Sequence, residues 1–169
     1  GYSTPIIIDV AGKPQLITPA SNAVVSLDPH TGKILWWIKS GGHSPAMRSL
    51  YANGLVYASS GAGKELIPIK PDGKGDVTAS HIAWRTKKGI GHKPTPVLVD
   101  DLIYVVSDEG SLVCIDAKTG EQVWGQRLSQ AKAAYSASPL YADGVIYFFA
   151  EDGTATVIQP GREFKIVAQ

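Results

Sequence analysis

Ser59-Ser60-Gly61-Ala62-Gly63-Lys64-Glu65 sets glycines and a lysine in the order of a phosphate-cradling loop. Such a loop needs glycine at position 58 and a hydroxyl residue at 65, followed by a helix. Ala58 and Glu65 stand there and a strand pattern follows, so a plain hairpin is expected. Asp72-Gly73-Lys74-Gly75-Asp76 offers oxygens to a hard cation such as calcium. Lys74 breaks the ligand alternation and the late glutamate is missing, so the stretch reads as an exposed, solvated insert. His30, His43, His81 and His92 lack the two- or four-residue spacing that builds a zinc site, which leaves only assembly across distant segments. The acidic pairs Asp108-Glu109 and Glu151-Asp152 fall in hairpin turns, where they are expected to face water. No Ser-His-Asp or Cys-His pattern emerges. Cys114 lies mid-strand in a slot that reads as buried and inert.

The elements that must carry these residues follow from a repeat. Asp28-Pro29-His30-Thr31-Gly32-Lys33-Ile34-Leu35-Trp36 and Asp116-Ala117-Lys118-Thr119-Gly120-Glu121-Gln122-Val123-Trp124 share the pattern D-x-x-T-G-[KE]-x-x-W, 88 residues apart. A hydroxyl residue followed by proline recurs at Thr4-Pro5, Ser44-Pro45, Thr95-Pro96 and Ser138-Pro139. Both markers divide the chain into four units, about 3–43, 44–94, 95–137 and 138–169. A period near 44 with several turn signals per unit is that of a four-stranded β-propeller blade. Asn-Gly and Asp-Gly between β-branched runs supply the hairpins. The second strands, such as Leu102-Ile103-Tyr104-Val105-Val106 and Val145-Ile146-Tyr147-Phe148-Phe149, are apolar throughout and predict burial on both faces, as between stacked blades. The fold class expected is all-β, with about sixteen strands in four antiparallel blades. Helix has one short candidate, 130–135. The second unit carries its insert at 71–80 before Trp84 takes the strand-four tryptophan position, and the fourth unit puts Phe164 in that position.

Composition bounds the function. The chain of 169 residues balances 16 Lys and Arg against 15 Asp and Glu, which argues against nucleic acid as a partner. A single cysteine excludes an intrachain disulfide and a cysteine-based zinc cluster. No run of 18 apolar residues is present, so no membrane span is expected, and the N-terminal residues do not read as a signal peptide.

The ending Asp28–Trp36, repeated at Asp116–Trp124, resembles the tryptophan-docking repeat of the PQQ-type quinoprotein propellers. That family includes quinoprotein alcohol dehydrogenases and a non-catalytic outer-membrane-protein assembly lipoprotein. The family's small residue two before the aspartate is matched by Ser26 and Cys114. The expanded second repeat looks like the bacterial PQQ-binding-like repeat proteins. The resemblance implies a propeller of seven or eight blades, of which this chain holds about four. The expectation is therefore part of a longer chain, the remaining blades being its partner; two copies associating, or an unusual closure as four blades, are the other solutions. Asp28, Thr31, Gly32, Asp116, Thr119 and Gly120 are expected to build the turns. Trp36, Trp84 and Trp124 are expected to pack between blades, their N–H groups meeting a neighbouring blade's backbone.

Binding residues are sought just before each first strand, where the blades crowd around one mouth. Tyr2, Ser3, His43, Arg48, His92, Lys93, Tyr135 and Ser136 stand there. The leading reading is a non-catalytic binding or scaffolding module with a protein partner, in a bacterial periplasm or otherwise extracytoplasmic. One alternative is a fragment of a PQQ-dependent dehydrogenase. The resemblance would then imply adjacent cysteines and a calcium-binding acidic set, neither of which this sequence supplies, so no catalytic, cofactor or metal residue is assigned. Another alternative is a carbohydrate-binding propeller using Tyr2 and Tyr135.

Overall fold

The computed structural model describes residues 1–128 and 133–169. Its strands are β1 (Ile6–Val10), β2 (Lys13–Ala20), β3 (Ala23–Leu27), β4 (Ile34–Lys39), β5 (Leu50–Ala52), β6 (Leu55–Ser59), β7 (Leu66–Ile69), β8 (Gly75–Asp76), β9 (Val97–Val99), β10 (Leu102–Val106), β11 (Ser111–Asp116), β12 (Gln122–Arg127), β13 (Leu140–Ala142), β14 (Val145–Phe149), β15 (Ala155–Gln159) and β16 (Lys165–Ala168). No α-helix occurs among the described residues, and a 3-10 turn at Gly61–Gly63 joins β6 to β7. The helix candidate at 130–135 lies partly outside them; Ala133 to Tyr135 are irregular. The strands pair as antiparallel meanders, β1-β2-β3-β4, β5-β6-β7, β9-β10-β11-β12 and β13-β14-β15-β16. Two compact units result, Gly1–Lys87 and Lys88–Gln169, each holding two sheets.

Turn chemistry explains the meanders. Ala11-Gly12, Asn53-Gly54 and Asp143-Gly144 each place two consecutive residues at positive φ. That is the type I′ geometry whose twist matches paired strands. The repeated Asp-x-x-Thr-Gly turn is a closed set of hydrogen bonds. Asp28 Oδ1 accepts from the backbone N–H of His30 (2.8 Å) and Thr31 (3.0 Å), while Thr31 Oγ1 accepts from Lys33 N (3.3 Å). Asp116 Oδ1 accepts from Lys118 N (3.0 Å) and Thr119 N (3.2 Å), and Thr119 Oγ1 accepts from Glu121 N (3.2 Å). Beside each turn the ladder slips by one residue, at Ser26/Leu27 and at Cys114/Ile115. The slip sets Trp36 directly opposite Ser26 and Trp124 opposite Cys114. A small residue there leaves room for the indole.

Trp36 is fully buried. Its Nε1 donates to Gln15 Oε1 (2.8 Å), which also accepts from Ser26 Oγ (2.9 Å). Trp36 thus finds its acceptor within its own sheet, contrary to expectation. Trp124 behaves as expected: its Nε1 donates to Gly161 O (3.0 Å) in the adjacent sheet of its unit. The fourth sheet repeats the slip at Val157/Ile158, and Ala168, not Phe164, stands in the tryptophan register opposite Val157. Phe164 precedes β16 and packs on Trp124, ring centroids 5.1 Å apart.

The second sheet departs further. Its fourth strand is reduced to the bridges Leu66↔Thr86 and Ile69↔Ile82, with half-buried Trp84 between them, 6.4 Å from the Tyr57 ring. The insert is the reason. Its β8 leaves the second repeat and pairs in parallel with β4 of the first, Trp36 opposite Gly75 and Trp37 opposite Asp76. Val77 N donates to Trp37 O (3.0 Å), Lys39 N donates to Thr78 Oγ1 (2.9 Å), and Gln15 Nε2 donates to Pro71 O (3.0 Å). Asp72, Lys74, Gly75 and Asp76 are exposed, as expected of a solvated insert, but Gly75–Asp76 also adds a fifth strand to the first sheet, and Val77 just after it is buried, only 3% exposed.

In the first unit Ile17, Val24, Trp36 and Ile38 pack with Val56, Ala58, Ile67 and Ile69 of the second sheet. In the second unit Tyr104, Leu112 and Cys114 pack with Ile146, Phe148 and Ile158. β6 and β10 are buried on both faces as expected, but β14 alternates and exposes Phe149. Burial pushes the Cys114 thiol up to about 12, so it stays protonated and inert.

Replacing Trp36 by Ala is expected to cost about 3–5 kcal/mol, as for a buried aromatic, and Trp124→Ala less, because that ring is partly exposed. Urea midpoints check the order; a parental midpoint for Trp36→Ala would show that the indole is not packed. Asp116 offers a second test. The Arg162 guanidinium (2.7 Å) and then the turn N–H groups hold its carboxyl below 3.8. A depressed folded pKa contributes stability above the unfolded value, lost as pH falls through the folded one. Asp116→Asn is therefore expected to flatten the acid limb of the stability curve below about pH 4, with urea titrations at stepped pH as the check.

Candidate functional site

The segments that lead into the first strands are fastened by the turns between strands two and three. In the first unit, Ala62 N donates to His43 O (2.8 Å). Gly61 sits there at φ +68, and a Cβ on it would lie 2.3 Å from His43 O, so only glycine allows the approach. In the second unit, His92 N (2.7 Å) and Lys93 N (3.1 Å) donate to the two oxygens of Asp108, and Tyr135 N donates to Asp108 O (2.9 Å). Glu151 N donates to Ala134 O (2.8 Å), and Glu151 Oε1 accepts from Lys93 Nζ (3.3 Å) and from Ser136 Oγ. The acidic pairs therefore do more than face water: Asp108 and Glu151 hold the lead-in segments. Ser136 first and Lys93 second hold the Glu151 carboxyl below its usual value.

Each candidate can now be placed. Lys93 and Ser136 share the Glu151 carboxylate, and half-buried His92 sits on Asp108. Tyr135 is corrected: its side chain is wholly buried in the second core, where it offers no surface to a ligand. Burial raises its phenol pKa. In the first unit Tyr2 is 81% exposed and its N–H donates to Pro45 O (2.9 Å), which brings it beside the Ser44-Pro45 lead-in. His43 is exposed, its Nδ1 3.2 Å from Ser44 Oγ, and Arg48 is exposed as well. Half-buried Ser3 donates from Oγ to Thr4 O (3.4 Å).

Two features escaped the sequence. Asp108 and Glu151 occupy one slot, two residues before the glycine of each strand-two turn, and that coincidence was the available signal. Ser80, His81 and Asp72 also come together, Ser80 Oγ 2.7 Å from His81 Nδ1 and Asp72 Oδ1 3.5 Å from His81 Nε2. The serine bonds its own neighbour and the aspartate is largely solvated, so this chain closes the insert rather than activating a nucleophile. Beside it, Lys13, His30, Ile34, Pro71 and Lys74 line part of a groove of about 620 Å3. No cluster of three potential metal-donor side chains occurs among the described residues, and no helix among them is long and apolar enough to cross a membrane.

Four antiparallel meanders, two of them carrying the Asp-turn and the tryptophan opposite a small residue, define a β-propeller architecture built from PQQ-like repeats. The chain belongs to the family described as outer membrane protein assembly factor BamB, whose profile matches residues 73–161. Among solved structures, BamB from Moraxella catarrhalis superposes with a TM-score of 0.71 at 17% identity, over 94% of this chain and 46% of that one. Quinohemoprotein alcohol dehydrogenase from Comamonas testosteroni gives 0.68 at 14% identity, over 96% and 34%. The computationally designed Ika4 protein gives 0.68 at 13% identity, over 95% and 91%. These likenesses show the fold, and the chain spans less than half of both natural neighbours. No curated protein matches it.

Asp108→Ala removes the acceptor of two backbone N–H groups. It is expected to cost about 1–3 kcal/mol and to speed hydrogen exchange at the His92 and Lys93 amides. Exchange read residue by residue decides it; unchanged protection would mean that the lead-in segment holds itself.

Proposed function

We propose that the chain is a non-catalytic binding and scaffolding module that displays polar side chains from rigid lead-in segments to a protein partner. The observation that supports this most is the fastening by Asp108, Glu151 and the Gly61 turn. Backbone groups and carboxylates are engaged in holding the segments, which places His43, Arg48 and Tyr2 at the surface together with Lys93, exposed while paired with Glu151. Pre-ordered loops with exposed polar and aromatic side chains suit recognition, because little ordering entropy is lost on contact. Membership of the BamB family favours a partner in outer-membrane protein assembly, and hence a bacterial periplasmic setting.

The likeness to a quinohemoprotein alcohol dehydrogenase keeps a second reading in view. The residues fit it poorly. Adjacent cysteines cannot form from Cys114 alone, and the acidic side chains nearest the lead-in segments are engaged with Lys93, Ser136 and backbone N–H groups. The carbohydrate reading loses Tyr135 to the core.

Photocrosslinking residues at His43, Arg48 and Lys93, expressed in a bacterial envelope, are expected to capture a protein; Lys118 on an Asp turn should not. The overturning result is micromolar binding of pyrroloquinoline quinone with calcium, accompanied by dye-linked alcohol oxidation.

A further inference from the structure

The groove of about 620 Å3 lies inside the first unit, between the first sheet and the insert of the second repeat. Its volume is that of a small-molecule pocket. It flanks the start of β4, whereas the His43 lead-in follows the end of that strand, so the two occupy opposite ends of one sheet. Val10, Pro14, Ile34, Leu35 and Pro71 give it an apolar lining, and Ile34 leaves 61% of its surface open. The insert wall is fixed in place. Gln15 Nε2 holds Pro71 O (3.0 Å), Val77 is buried, and a Cβ on Gly73 would lie 2.5 Å from Val77 Cγ1 and 2.8 Å from His81 Nε2. A wall already set costs a ligand little reordering.

Three basic side chains line the groove from three separate segments: Lys13 at the start of β2, His30 in the Asp turn and Lys74 in the insert. Two carboxylates line it as well, and both have partners within the chain. Asp28 accepts the N–H groups of His30 (2.8 Å) and Thr31 (3.0 Å), which hold its carboxyl below the usual value. Asp72 Oδ1 lies 3.5 Å from His81 Nε2. Lys13 and Lys74, by contrast, have no carboxylate partner among the described residues. The groups left to meet a ligand are therefore two ammonium heads and an apolar lining. That pairing fits an anionic end on an apolar body.

We infer that this groove binds a small organic acid, its carboxylate taken by Lys13 and Lys74 and its aliphatic or aromatic body by Val10, Ile34 and Leu35. A carboxylate suits the two lysines because hydrogen bonds between charged partners are about twice as strong as neutral ones. The insert then has a second role: besides extending the first sheet, it supplies one wall of the site and one of its two ammonium groups. This site is separate from the lead-in segments and does not rest on their meeting a protein.

Octanoate is the probe, titrated into the isotope-labelled 169-residue chain with backbone amide shifts as the readout. Saturable shifts are expected at Lys13, His30, Ile34 and Lys74, with a dissociation constant in the millimolar range or below. Octanol lacks the charge and acetate lacks the body, so each is expected to bind at least about tenfold more weakly. Lys13→Gln combined with Lys74→Gln should raise the octanoate constant at least about tenfold. Its urea midpoint should stay parental, because both lysines are exposed. Ile34→Asn should weaken octanoate and leave acetate unchanged. Octylammonium binding as tightly as octanoate overturns the proposal, because Asp28 and Asp72 would then be the recognising groups. So do octanol or acetate matching octanoate, parental binding by the double lysine variant, and shifts confined to residues outside the groove. Failure to saturate by about 10 mM overturns it as well. Crosslinking at His43, Arg48 and Lys93 is read separately, so any of these results leaves the protein-partner reading standing.

Discussion

The interaction on which the structure turns is an aspartate carboxylate accepting two backbone N–H groups of its own turn. Asp28 and Asp116 make it in matching geometry, and the one-residue slip beside each turn brings the tryptophan opposite a small residue. Were the turn to open, the ladder could relax by one residue, and every side chain on the last strand would change face. Local hydrogen bonding thereby sets long-range packing.

The same register admits two ways of satisfying the buried indole. In the first sheet a buried glutamine oxygen accepts the indole N–H and the Ser26 hydroxyl together. In the third, the neighbouring sheet supplies a carbonyl, whose own residue donates its N–H to Tyr104 Oη (2.8 Å). A buried donor needs an acceptor, and the fold leaves its source free. The glutamine solution reaches one step further, because Gln15 Nε2 also holds Pro71 and so joins the slot to the insert.

Much of this was legible in the residues. Repeat period, turn pairs and the Asp-to-Trp spacing are local and obey strict stereochemistry, so the meanders and the positions of Trp36 and Trp124 could be read directly. Errors arose where tertiary context decides. Nothing local in Gly75-Asp76 says that it leaves its repeat for an edge already formed by β4. Phe164 sits at a plausible spacing, but the register is counted from the slip and arrives at Ala168. Tyr135 looked like a surface aromatic because its neighbours are polar, yet its ring turns inward while its N–H is held by Asp108. Of the candidate site, the lead-in segments were visible from the hydroxyl-proline marker. Their fastening was not, because Asp108 and Glu151 act through backbone groups whose identity the sequence does not display.

The β4–β8 pairing has a consequence for how the chain comes apart. Tandem repeats behave approximately as a one-dimensional array, each unit with its own stability plus a term for contact with its neighbour, and such arrays fray from their ends. Here the first repeat is tied to the second by more than packing. Its last strand is bracketed on one side by β3 and on the other by a strand donated from residues 75–76, and further ties run from Lys39 to Thr78 and from Gln15 to Pro71. Peeling the first repeat away from the second requires breaking the ladder of the second one's insert as well. The two repeats are thereby coupled into one cooperative transition through a strand exchanged between them.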